Sequence, residues 1–269
     1  MKKFLSSILC LCLTFCFSPQ ISTICSAQTN PMLCIVIDDF GEDRAGVKEM
    51  LELNIPLTCA VMPNLTFTKQ DAETAHANGH EVILHMPFES SASLPQSWYG
   101  PTYIKKSDSP VVAINKLEQC LSSVPYAKGI NFHMGAALEE SKKTITEIIS
   151  YTKQHNLCFL DSKTSEQSIC REVCKNTQTC FLERDFFLEK HGAKSVSYAE
   201  NMLNEAIKKA KKTGFSIVIG HVGPEGGLST FQAIKNCLPL FKQNNIQIVP
   251  LSKIHEKQQI FNTTQLKNQ

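Results

Sequence analysis

Asp38 and Asp39 stand side by side at the end of the apolar run Cys34-Ile35-Val36-Ile37, just before Phe40-Gly41. Four β-favouring residues followed by two acids read as a buried parallel strand that delivers carboxylates to a rim. Two carboxylates that close cannot both stay ionised and unpaired in a dry site. A cation must neutralise them, or one must keep its proton. A divalent metal beside a general base meets that demand and supplies hydrolytic chemistry. The competing structural reading is a helix N-cap, with Asp39 or Asp43 starting the helix that follows.

Other ligand and acid–base residue types recur in the same relation to apolar runs. His85 closes Glu81-Val82-Ile83-Leu84, and His133 follows Gly129-Ile130-Asn131-Phe132. Asp161 follows Cys158-Phe159-Leu160, Glu183-Arg184-Asp185 follow Cys180-Phe181-Leu182, and His221 ends Ser216-Ile217-Val218-Ile219-Gly220. One histidine after a strand is commonly a hydrogen-bonded structural residue. Three in register with an Asp pair and two further Asp point to a site. Asp39, His85 and His133 form an Asp-His-His ligand set that suits zinc or another first-row divalent ion, with positions left for water and substrate. Asp38 is placed as general base and His221 as general acid. Asp161 or Asp185 is assigned to orient His221, and Arg184 to pair with Asp38. The other five histidines fail this test: His76 and His80 flank a helix end, His155 follows a helix, and His191 and His255 fall in polar loops.

The elements that must position these groups alternate along the chain. Strand-like runs at 33–37, 57–61, 82–84, 129–132, 158–160, 180–182, 215–219 and 246–249 are separated by helical patterns at 44–53, 69–78, 111–122, 141–154, 197–212 and 228–243. Repeated strand-then-helix units imply a mainly parallel sheet. Seven or eight units predict a closed or nearly closed barrel, with an open doubly wound sheet as the alternative. In a parallel barrel all strand carboxyl ends share one rim, where catalytic groups collect. The Ser- and Pro-rich segment 90–110, with Trp98 and Tyr99, is the one long irregular loop and suits a lid or substrate wall.

The chain has 269 residues, 42% hydrophobic, with net charge +2, enough for one large domain. Near-neutral charge gives no footprint for nucleic acid. Met1-Lys2-Lys3, the apolar run Phe4 to Phe17 and the small residues Cys25-Ser26-Ala27 predict a signal peptide over 1–27, cleaved before Gln28, and hence a periplasmic or secreted product. An uncleaved anchor is the alternative, and no later segment is apolar enough to span a membrane. The domain is placed at 28–255, with a flexible tail at 256–269. Of 12 cysteines, four lie in the leader. Export permits a local bridge such as Cys174 to Cys180, while Cys34, Cys59 and Cys158 read as core fillers.

Taken together, these stretches resemble the divergent polysaccharide deacetylases, a branch of the NodB-like, carbohydrate esterase type 4 superfamily. The resemblance rests on Ile35 to Gly41, Glu81 to Glu89, Gly129 to Gly135, Phe159 to Thr164, Arg184 to Leu188 and Ile219 to His221. It implies a deformed (β/α)7–8 barrel and, in the wider superfamily, metal-dependent removal of N- or O-acetyl groups from polysaccharides; an N-acetylated envelope polysaccharide such as peptidoglycan is the expected substrate. The wider superfamily's second motif carries two histidines four residues apart. Here Glu89 follows His85 at that spacing, so the remaining ligand is Glu89 or, preferred, His133. The superfamily's arginine-bearing third motif has no match in place, which leaves Arg184 as the candidate. Two rival expectations stand beside the deacetylase: a catalytically silent barrel that binds envelope glycan or a partner protein, and a metal-dependent amidohydrolase or phosphoesterase.

Overall fold

The computed structural model describes residues 30–267 apart from 91, 93, 136–140, 166 and 191–193, with side chains described as far as 260. The expected signal peptide and its expected cleavage point lie outside these residues. Eight strand–helix alternations follow one another: β1 (Met32–Phe40), α1 (Val47–Leu51), β2 (Thr58–Val61), α2 (Thr68–Ala77), β3 (Glu81–Phe88), α3 (Pro110–Ser123), β4 (Ala127–Met134), α4 (Lys142–Gln154), β5 (Cys158–Asp161), α5 (Cys170–Thr177), the two short strands β6 (Leu182–Glu183) and β7 (Phe186–Phe187), α6 (Val196–Thr213), β8 (Phe215–His221), α7 (Gly227–Gln243), β9 (Gln247–Ile248) and α8 (Leu251–Lys267).

All strand pairs are parallel, in the order β6-β5-β4-β3-β2-β1-β8-β7, with β9 on the lower part of β1. The segment expected as one strand near 180–182 is two. Its first half pairs with β5 and its second with β8, and only Arg184 and Asp185 lie between them. One short stretch of chain thus joins the two ends of the sheet, and the result is the deformed barrel expected rather than an open doubly wound sheet.

Side-chain alternation divides the strands into two faces. Leu33, Ile35 and Ile37 of β1, Val82, Leu84 and Met86 of β3, Ile130 and Phe132 of β4, and Val218 of β8 pack outward against the helices. Cys34, Val36, Ile83, Leu160, Ile217 and Ile219 face inward and form a second core with Val249, Leu251 and Ile254. The helices follow from their patterns: α6 buries Ala199, Leu203, Ala206, Ile207 and Ala210, one face of a 3.6-residue period, between the Ser195 N-cap and Gly214 in the left-handed region.

The first turn of α8 stoppers the amino end of the barrel. Its Leu251 N–H donates to Thr58 Oγ1 (3.0 Å) and its Ser252 N–H to the buried Glu81 carboxylate (3.2 Å), so an acid meets the helix N-terminus. This corrects two expectations: residues 256–267 are helical rather than a frayed tail, and His255 lies on that helix rather than in a loop. The helix α5 lies outside the helical patterns expected above. Cys174 and Cys180 are buried and are not bridged to each other; burial pushes their thiols up to about 12 and about 11. Among the described residues, no helix is long and apolar enough to cross a membrane.

Candidate metal centre

The same alternation that fills the barrel interior places the polar residues at its carboxyl rim. Asp38 continues the inward row of Cys34 and Val36, His85 that of Ile83, Asn131 and His133 that of Gly129, and His221 that of Ile217 and Ile219. By alternation alone Asp39 would face outward with Ile37. It instead takes a left-handed φ of 70°, and the β1–β2 register shifts between Ile37 and Phe40. That conformation costs a non-glycine residue about 1–3 kcal/mol, and strain of this kind collects at functional sites. The kink brings both carboxylates to one rim. The loop beyond it is tied down by Asp71, which accepts Gly41 N–H at 3.0 Å and is gripped by Arg44 at 2.7 Å.

Asp39 Oδ1, His85 Nε2 and His133 Nδ1 converge on one point. Asp39 lies 3.2 Å from His85 and 3.0 Å from His133, and the two ring nitrogens are 3.1 Å apart. The protons on the far sides of the rings are already committed. Asn131 Nδ2 donates to Asp38 Oδ1 at 2.8 Å, so its Oδ1 accepts from His85 Nδ1–H, also at 2.8 Å. His133 Nε2–H donates to the Trp98 carbonyl at 3.0 Å. With each ring donating from its far nitrogen, the facing nitrogens present lone pairs whenever the rings are neutral, and with the carboxylate they then make three electron-pair donors that repel unless a cation sits among them. Asp39 Oδ1 is, among the described residues, a buried side-chain oxygen with no hydrogen-bond partner. Three ligand-type atoms within 3.2 Å of one another, a carboxylate oxygen and two imidazole nitrogens, fit a divalent metal. They form the described group of three ligand-type side chains able to hold one.

Charges around the point reinforce it. Burial would raise Asp39, yet the adjoining His133 ring, with His85 and His221 behind, holds it well below the usual carboxylate range. Asp38 is pushed upward, chiefly by burial, against the pull of His85 and His221. Asp38 and His221 are register partners on β1 and β8, so the acid and the imidazole face each other across neighbouring strands.

The partner of His221 is Glu189. It accepts His221 Nδ1–H at 2.9 Å and the His221 backbone N–H at 3.1 Å, and it also takes a short hydrogen bond from Thr230. Against a burial penalty, this carboxylate lifts His221 to about 10. A Cβ on Gly226 would run into both Glu189 Oε1 and Thr230 Oγ1, so glycine is needed there for the approach.

Four sequence assignments are corrected by these positions. Asp161 does not orient His221: it shares the outward face of Phe159 and accepts from Ser168 Oγ (2.6 Å) and Lys163 N–H (2.7 Å). Asp185 does not either; it holds Lys209, Ser216 Oγ (2.8 Å) and Ile217 N–H (2.9 Å), fastening the β6–β7 segment to β8 and α6. Arg184 donates to the carbonyls of Ser162 and Lys163 at 2.8 Å and stacks on Phe187, while the hydrogen-bond partner of Asp38 is Asn131. Glu89 is turned to the Lys106 N–H (2.7 Å) and stands outside the ligand group.

Residues 35–255 match the family model described as divergent polysaccharide deacetylase. The chain belongs to that family. It is similar to the uncharacterized protein YibQ of Escherichia coli (strain K12), at 28% identity over 88% of this chain and 71% of that one. Among solved structures it resembles the uncharacterized protein ATU2773 from Agrobacterium tumefaciens C58, with TM-score 0.76 and 19% identity over 85% of this chain and 91% of that one. It also resembles the catalytic domain of a peptidoglycan N-acetylglucosamine deacetylase from Eubacterium rectale ATCC 33656, with TM-score 0.51 and 14% identity over 83% and 90%. Both likenesses show the NodB-like fold.

Sequence reading of this family member overlooked Asn131 and Glu189. Asn131 carried a usable signal, since it lies two residues before His133 and therefore on the same face of β4. Glu189 carried none of that kind, because it follows a two-residue strand too short to show a period.

Proposed function

We propose that the protein is an exported, zinc-dependent deacetylase that hydrolyses acetyl groups on an N-acetylated envelope glycan, with peptidoglycan as the substrate class. The observation that carries this reading is the convergence of Asp39, His85 and His133 on one point, flanked by Asp38 on one side and a Glu189-held His221 on the other. Family membership and the peptidoglycan deacetylase named above support the glycan. The leader read from the sequence supports export.

A zinc ion in this site would supply Lewis-acid polarisation of the acetyl carbonyl. Asp38, fixed by Asn131, accepts a proton from the attacking water as its oxygen bonds to the acetyl carbon. His221 is protonated and has its Nδ1 committed to Glu189, which leaves Nε2–H to protonate the departing nitrogen as the C–N bond breaks. One water is consumed, and acetate and a free amine leave. Residues 94–109, pinned by backbone bonds between Ile104 and both Pro87 and Glu89, serve as a wall of the rim in this reading.

Acetate release from peptidoglycan and chito-oligosaccharides tests this directly. Release by the zinc-loaded protein that a chelator abolishes is the expected result. No release from either substrate contradicts it and favours a barrel that binds glycan without cleaving it.

A further inference from the structure

The chain has a single tryptophan, Trp98, on a 3-10 turn (Gln96–Trp98) in the rim loop. It is 52% exposed, although a large indole in a well-packed chain is normally covered. On its carboxyl side Tyr99 and Ile104 are covered, while residues 95–97 before it are exposed. Tyr99 is buried and its hydroxyl accepts the Ser90 N–H at 3.2 Å, Tyr99 stacks on Tyr103 at 4.7 Å, and Ile104 is fully buried and extends the edge of β3. The loop is therefore fastened just after Trp98, through Tyr99 and Ile104, while the indole is left out. Its backbone does a separate job: the Trp98 carbonyl takes the Nε2–H of His133 and so turns the Nδ1 lone pair toward Asp39 and His85.

We propose that Trp98 joins ligand recognition to the metal centre, its exposed indole taking the apolar face of a pyranose ring while its carbonyl holds the tautomer of His133. The pyranose half of this rests on the glycan reading above; the carbonyl half does not. A sugar ring presents a flat array of C–H groups that suits an aromatic face, and an indole fixed in advance by its loop loses little freedom on binding. A ring stacked on Trp98 lies within one sugar unit of the rim, because the same residue touches His133. Metal bound through His133 and glycan bound through the indole then bias the same turn, and each tightens the other.

Because the chain has one tryptophan, its emission reports this residue alone. Two titrations of the protein separate the two halves. Zinc alone should change the emission with the same midpoint that calorimetry gives for zinc binding. Stopped-flow mixing of zinc-loaded protein with chitotetraose should change it again before turnover. W98A keeps the backbone carbonyl, so zinc affinity should stay within about threefold while KM for chitotetraose rises about three- to tenfold at unchanged kcat, with W98F restoring most of the loss. Emission that ignores zinc known by calorimetry to be bound overturns the carbonyl link. An unchanged KM in W98A, with no response to chitotetraose, overturns the stacking. Should the wild type release no acetate while chitotetraose still shifts the emission, the stacking stands and the deacetylase reading falls.

Discussion

Glu189 receives the Nδ1–H of His221 at 2.9 Å, and the same carboxylate receives the His221 backbone N–H at 3.1 Å. The imidazole is therefore held in one orientation and one charge state, with a pKa lifted to about 10 from the ordinary 6.5. Glu189→Gln should drop it back toward 6.5, read by NMR titration of the histidine ring protons. The folded state holds this proton more tightly than the unfolded chain. The pair therefore stabilises most fully below pH about 6.5, and its contribution fades as pH rises through about 10. In Glu189→Gln that slope of stability against pH should flatten. An unchanged His221 titration in the variant contradicts the pairing.

Asp38 faces His221 across the β1–β8 register and meets the candidate ligand set through its hydrogen bond from Asn131, with Oδ2 3.7 Å from His85 Nε2. Asp38→Asn should keep the fold and the zinc affinity yet lower kcat about 10² to 10⁴-fold, the usual worth of a general base. Full acetate release by this variant places the base elsewhere.

Asn131 is fully buried, and its amide serves Asp38 and His85 together. Asn131→Ala leaves the Asp38 carboxylate and the His85 N–H without their partner and frees the histidine to take the wrong tautomer. We expect a loss of about 1–3 kcal/mol in urea unfolding and a 10- to 100-fold weaker hold on zinc. Unaltered zinc affinity would remove Asn131 from the support of the centre.

Asp185 offers the opposite pattern. It anchors the β6–β7 segment through Lys209, Ser216 and Ile217, away from the rim chemistry. Asp185→Ala should lower unfolding stability by about 1–3 kcal/mol and leave zinc affinity as it was. A selective loss of turnover at full stability would restore a catalytic role for it.

The legibility of this molecule follows from strand length. Where a strand is long enough to show its period, as in β1, β3, β4 and β8, the sequence locates the rim, and Asp38, His85, His133 and His221 come to it in register. The short strands mislead. Asp161 ends a four-residue strand and points with Phe159 toward the helices, and the two-residue strands β6 and β7 place Arg184 and Asp185 where they stitch the barrel together. Glu189 acts from beyond such a strand, at a distance in sequence from His221 that no local pattern encodes. Asp39 was legible only as a residue type, since its inward turn depends on a left-handed backbone that alternation does not foresee. The helical course of residues 256–267 was hidden for a related reason: what draws α8 in is the buried Glu81 and Thr58 at the far end of the barrel.

The central claim is that a divalent ion belongs among Asp39, His85 and His133, and calorimetric zinc titration of the wild type beside the His85→Ala/His133→Ala variant tests it most directly. One equivalent bound by the wild type, with the double variant weaker by orders of magnitude, is the predicted result. Stoichiometric zinc at unchanged affinity in the double variant, or none in the wild type, contradicts it.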